Sequence, residues 1–322
     1  MLMLMLMLML ASRLGAAELS PAKLLAAGRV DDAIVTLQNR ITAAPNDAES
    51  QNLLCRAYFV LTNWDAGVAA CQKAVALEPG NSQYHLWLGR AYGEKAEHSS
   101  FFFATVLAKK VRSEFETAVH LDPNNVEAHA DLADFYVQAP GMLGGGTDKA
   151  ATQAQQLAPL DPAESHLVRA QIAEKDNDLA GAESEFRAAI QASGGKAGAW
   201  ISLAQFYRRT DRLDQMQEAV QHATSAQENQ PVLLAAAEVL IQAQRNLSAA
   251  ADLLRRYLAG ETVEDAPAFK AHYLLGNLLE QQGNILAAAQ EYRNALSLAR
   301  EFTLAQSALK RLDRRAESRG SR

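Results

Sequence analysis

Residues that break helices are scarce in this chain. Only nine prolines occur in 322 residues, and the 18 glycines are mostly scattered at intervals. Aromatics make up 7% of the chain, although 49% of it is hydrophobic. Alanine therefore carries much of the apolar share. Ala and Leu lose little conformational freedom in a helix, and Pro, the strongest breaker, is rare. There are two cysteines, Cys55 and Cys71, and neither sits in a CxxC or zinc-ligand spacing. A disulfide framework as the organiser of the fold is thereby excluded. Positive charge is also short, with a formal net charge of −6. Nonspecific nucleic-acid binding needs a basic footprint that is absent here. No apolar run approaches the ~20 residues that span a bilayer.

The amino terminus is unlike the rest. Met1 to Leu10 alternate Met and Leu, then Gly15, Ala16 and Ala17 supply small residues. This matches the apolar core and cleavage region of a signal peptide, although no Lys or Arg precedes the run. We expect residues 1–17 to be either such a signal or a disordered tail. Ser20-Pro21 then reads as a helix start, with Ser as the cap and Pro where its missing N–H costs nothing.

The informative feature is repetition. Pro45 and Pro79 lie 34 residues apart, and similar endings recur at Ala74–Pro79, Ala118–Pro123 and Leu157–Pro162. Each proline stops a helix, because the residue before it is pushed out of the helical region. Asn46-Asp47, Asn81 and Asn124-Asn125 follow and can cap the next helix. The helices that start there share a second pattern: Leu88-Gly89 with Tyr92, Leu132-Ala133 with Tyr136, Leu203-Ala204 with Tyr207, and Leu275-Gly276 with Leu279. Their partner helices carry a small-large-small set, as in Gly67, Cys71, Ala74, in Ala182, Phe186, Ala189, and in Ala288, Tyr292, Ala295. Spacings of four and three place each set on one helical face.

These motifs resemble the tetratricopeptide-repeat (TPR) family over residues ~18 to ~300, with about eight units. The resemblance implies an all-α, TPR-type α-solenoid of antiparallel helix pairs, wound into a right-handed superhelix with a concave groove. We expect the solenoid to span 18–316, ending in a polar capping helix at an open end, with 317–322 as a disordered tail. The family's ligands lie along the first helices. On that face stand Asn52, Arg56, Trp87, Arg90, Asp131, Asp134, Gln205, Arg208, Tyr273 and Asn277. The Lys/Asn clamp of the chaperone-binding subclass is not present as a set. Arg56 and Arg90, on neighbouring units, could grip an acidic segment or make ordinary salt bridges.

Two spacings exceed the period. Pro79 to Pro123 spans 44 residues and Pro123 to Pro162 spans 39. The surplus falls within 93–108, containing Phe101, Phe102 and Phe103, and within 139–146, containing Met142 and Leu143. Adjacent units project such turns from one edge, so the insertions should meet. Either the three Phe cover Pro140, Met142 and Leu143, or these residues form an apolar patch for a partner.

Nothing points to chemistry. Gly144–Gly146 lacks the Gly-Lys-Ser/Thr of a phosphate loop, and no strand precedes it. His85, His129, His166 and His272 occupy equivalent places in successive units, which makes them packing residues rather than convergent ligands. Asp131 and Asp134 share a helical face but lack an enclosed pocket for acid–base work. Cys55 and Cys71 should be buried in the small and large slots of one helix pair, with plain packing favoured over a disulfide. The basic run from Lys310 to Arg322 reads as a solvated last helix with a frayed tail, or as a contact for acidic partners or anionic lipid. The expectation is a protein- or peptide-binding scaffold without catalytic residues, cofactor or metal. It would organise a complex in the bacterial cell envelope if exported, or serve as a cytoplasmic regulator or assembly factor if not.

Overall fold

The computed structural model describes residues 19–225 and 230–320, so the signal-like segment 1–17 lies outside the described residues. Among the described residues there are 17 α-helices and no named strand. They pair in chain order. The first four pairs are α1 (Pro21–Ala26) with α2 (Val30–Ala43), α3 (Ala48–Val60) with α4 (Trp64–Leu77), α5 (Ser82–Glu97) with α6 (Phe101–Leu121), and α7 (Val126–Gln138) with α8 (Thr147–Leu157). The second four are α9 (Pro162–Lys175) with α10 (Leu179–Ala192), α11 (Ala197–Arg209) with α12 (Leu213–Ser225), α13 (Gln230–Gln242) with α14 (Leu247–Leu258), and α15 (Ala268–Gln281) with α16 (Ile285–Leu298). A last helix, α17 (Thr303–Gly320), packs on α16. Eight antiparallel pairs stack as an α-solenoid, as the repeats imply.

The helix starts follow from the sequence. The side chain of Ser20 accepts a hydrogen bond from the Lys23 amide, with Pro21 at the first helical position. Asp47, Asn81 and Asn125, each just after a predicted stop, accept from backbone amides of Ser50, Gln83 and Ala128. Each bond satisfies a donor that the first helical turn leaves without a partner.

The small positions of the first helices face the large positions of the second. A Cβ on Gly89 would stand 2.4 Å from the Phe115 ring, and one on Gly276 would stand 2.6 Å from the Tyr292 ring. The repeated histidines tie the same helix pairs. Nδ1 of His85, His166 and His272 lies 2.6 Å from Glu114, Glu185 and Glu291, and that of His129 lies 2.7 Å from Gln153. His85 and His129 also reach the carbonyl oxygens of Pro79 and Pro123 at 3.0 Å. The packing role expected for these side chains is thus met by hydrogen bonds as well as by contact.

Three expectations need correction. Cys55 and Cys71 are both fully buried, but they are joined in a disulfide between α3 and α4. The antiparallel pair sets the small and large slots level, with a Cα separation of 5.2 Å, inside the range a disulfide bridges. The bond closes a short loop, with a sequence separation of 16. Loops of that size are stabilised by about 3 kcal/mol when crosslinked. A thiol reductant should therefore lower the urea midpoint by an amount equivalent to about 3 kcal/mol, and an unchanged midpoint would show that the bond contributes nothing.

The second correction concerns the ends, which are not open: the first and last units meet. The Thr262 hydroxyl donates to the Ala26 carbonyl at 2.9 Å, and the Arg300 amide and guanidinium both donate to Asp31. Gly28 lies against Ala268, where a Cβ would come within 3.2 Å of its backbone nitrogen. The hydrophobic cluster of the N-terminal units, with Leu24, Leu25 and Leu37, takes in Phe269, Ala299 and Phe302. Helix α17 therefore flanks a join rather than an open end, and its backbone is helical into the 317–322 segment. Two of its basic residues, Arg311 and Arg315, pair with Glu280.

The third correction concerns the three phenylalanines. Phe101, Phe102 and Phe103 are 82%, 74% and 66% exposed, and Met142 is 82% exposed. Helix α6 does meet the second insertion, but through Arg112, which stands beyond the first insertion and whose side chain lies against Gly144. Helix α6 begins at Phe101, so three consecutive residues fan around its first turn and cannot all face one loop.

Candidate binding cavity

The first insertion lengthens two helices instead of forming a loop. Helix α5 has 16 residues and α6 has 21, where α3 and α7 have 13 each. The second insertion forms a 3-10 turn, Gly141–Leu143, followed by three glycines. Gly144 adopts φ +92°, and a Cβ on Gly145 would stand 1.8 Å from the Ala139 carbonyl oxygen. Only glycine fits such a reversal. The turn brings Leu143 and Pro140 across from the extended part of α6.

Between α5, α6 and α7 these additions leave a cavity of about 930 Å³. Its wall includes Phe59, Val111, Phe115 and Phe135, and Phe101, Pro140 and Leu143 also line it. The segment after α14 contributes Asp265. This volume lies toward the upper end of ligand pockets.

The charges around it are one-sided. Among the described residues Arg90 is the single basic one lining the cavity, against Glu94, Glu97, Glu127, Asp131, Asp134 and Asp265. Arg90 is already engaged, with Nε 2.5 Å from Asp131 and Nη2 3.0 Å from Glu127. Burial would lower the Arg90 pKa, but those two carboxylates raise it overall. Burial also pushes the Asp131 carboxyl up, despite Arg90. The Asp134 carboxyl is raised by burial and by its neighbours Asp131 and Glu97, against the pull of a Gln138 hydrogen bond. The Glu94 carboxyl is raised by burial and then by Glu97. Carboxylates are thus crowded and partly dry on this wall, a state that an incoming cation would relieve.

Of the ten groove residues expected from the first helices, four come together here: Trp87, Arg90, Asp131 and Asp134. The guanidinium groups of Arg56 and Arg90 each lie over the Trp87 ring, 5.0 Å from its centroid. Arg56 is not free to grip a ligand, because Nε and Nη2 bind the Glu264 carboxylate at 2.7 and 2.6 Å. Asn52 is buried, and its side-chain nitrogen finds no hydrogen-bond partner among the described residues. Tyr273 packs on Tyr292 and Phe302, and Asn277 accepts from the Tyr292 hydroxyl. Gln205 and Arg208 stand on α11, outside this cavity. Of the apolar edge residues, Phe101 and Leu143 line the mouth, while Phe102, Phe103 and Met142 stand outside it.

Glu94 and Glu97 were not among the expected residues. They lie four and seven positions beyond Arg90 on α5, so continuing the helical face would have found them. Glu264 and Asp265 arrive from the far end of the chain, and no local pattern announces them.

Family models described as tetratricopeptide repeat match residues 24–91 and, separately, 197–230 and 269–302. The chain carries tetratricopeptide repeats. Among solved structures, yeast Tom70 aligns with a TM-score of 0.54 at 14% identity, covering 89% of this chain and 59% of Tom70. That likeness is one of fold. A thermophilic TPR protein from Thermus thermophilus aligns with a TM-score of 0.48 at 19% identity, over 58% of this chain and 96% of its own. MamA aligns with a TM-score of 0.41 at 18% identity, over 51% of this chain and 89% of its own. No curated protein matches the sequence. TPR arrays are in general protein-interaction scaffolds, and among the described residues no helix is long and apolar enough to cross a membrane.

Proposed function

We propose that this TPR protein holds a protein or peptide partner on the wall formed by α5, α6 and α7, and so organises a complex in the cell envelope. The observation that carries the binding reading is the cavity of about 930 Å³, which pairs aromatic walls with crowded carboxylates and opens beside exposed Phe102 and Met142. An exposed aromatic cluster rimmed by polar residues is a common mark of an interaction site. The envelope assignment draws support from the Cys55–Cys71 disulfide, since such bonds persist in oxidising compartments. It also draws on the signal-like composition of residues 1–17.

A photo-crosslinking amino acid at Phe102 tests the binding site in cells. It should recover a discrete partner, whereas the same group at Leu286, 85% exposed on α16, should not. Equal recovery from both positions would remove the site from consideration. Mass measurement of the mature chain tests the location. Loss of the residues before Glu18 is expected; an intact start with free thiols would instead favour the cytoplasmic regulator or assembly factor.

A further inference from the structure

The cavity's chemistry says more than that something binds. Glu94, Glu97, Asp134 and Asp265 line it, and no ion pair among the described residues engages any of them. Lys270 and His98 act on Glu94 only at longer range. These carboxylates share the wall with the Phe101 and Phe135 rings. Lys and Arg bury their stems along apolar surface and hold their charged ends on carboxylates or over aromatic faces.

Resting on the protein-binding reading, we propose that this cavity takes a cationic amphipathic segment of a partner protein, with Lys or Arg side chains on Glu97 and Asp134 and an apolar face on Phe101 and Phe135. A nucleic acid is repelled by the same charges. A small amine would leave the apolar edge uncovered, since Phe102 and Met142 continue it outside the mouth. The occupant must therefore be long enough to lie across both, as a peptide segment is. The chain's own basic run is a poorer candidate, because Arg311 and Arg315 are held on Glu280. The site is specific to this chain's insertions: Phe101, Pro140 and Leu143 stand on residues that the basic repeat period does not include.

The test is fluorescence anisotropy with the full chain and a labelled amphipathic peptide of about fifteen residues, Lys and Arg on one face and Leu and Phe on the other. Its twin carries Glu at every basic position. The basic peptide should bind with an affinity that falls with salt, and the acidic twin should not. Glu97→Gln with Asp134→Asn should weaken binding about tenfold or more. Glu49→Gln with Asp214→Asn, the same charge change at exposed positions outside the cavity, should change it less than about twofold. Phe101→Ser should also weaken it, which covers the case of a misfolded carboxylate variant. Equal binding of the twins, or equal losses from the two double variants, overturns the proposal. So does failure of both peptides to bind. In that last case the scaffold reading survives if the Phe102 crosslinker still recovers a partner, and falls if it does not.

Discussion

Gly276→Val should destabilise the protein by about 3 kcal/mol or more, at the upper end of the range for overpacked cores. The new Cβ would stand 2.6 Å from the Tyr292 ring, a contact that real Cβ atoms do not make. The ring has nowhere to go. Tyr292 is fully buried, and its hydroxyl lies 2.8 Å from the Asn277 side-chain oxygen and 2.9 Å from the Glu280 carboxylate. Moving the ring would carry its buried hydroxyl away from both oxygens and leave it without a partner. Repeat arrays unfold in units coupled mainly to their neighbours, so the loss should begin around α15 and α16. Because the ends meet, amide exchange should rise in α1 and α2 as well, which an open array would not show. Urea denaturation with hydrogen exchange reads both effects. Tyr292→Leu should blunt the cost of Gly276→Ala, since the clashing ring is gone. If the two substitutions simply add, the contact is not what matters.

Arg56→Glu should cost about 3 kcal/mol, comparable to breaking other buried ion pairs. Arg56 and Glu264 are 28% and 11% exposed at their side chains, so the bidentate pair is largely dry. Reversal would set two carboxylates face to face and remove a guanidinium from the Trp87 ring. The contact links α3 to the segment before α15, so its loss should let the two ends of the array part. Small-angle scattering should then show a larger radius of gyration. Adding Glu264→Arg should recover much of the compaction. An unchanged radius in Arg56→Glu would mean that the Thr262, Asp31 and Phe302 contacts hold the join alone. For the same reason Arg56 cannot serve as a test of ligand binding: its charge belongs to the fold.

Much of the site could be traced in the sequence, but not its boundaries. Trp87, Arg90, Asp131 and Asp134 follow from reading the groove-lining face of the first helices. Helical geometry and the repeat period place them without knowledge of any distant residue. The same reading also collected Asn277, Tyr273 and Asn52, which the structure turns to packing. A helical face specifies direction only, and whether a residue there is buried depends on what arrives opposite it. The phenylalanines show the converse. Surplus residues at 93–108 were visible in the spacing, but their extension of α5 and α6 was not. Pattern alone leaves open whether an insertion loops out or continues a helix.

Local rules acting within about 40 residues determined the helix pairs, their caps, the Gly89 and Gly276 contacts and the count of units. Such interactions are short in sequence, so each is written beside its partner. The join between ends and the acidic cavity were decided by tertiary structure. Arg56 and Glu264 are 208 positions apart, and their meeting depends on the accumulated rotation of all the units between them. A small change in each step would carry the ends past each other, and no single segment of the chain encodes that sum.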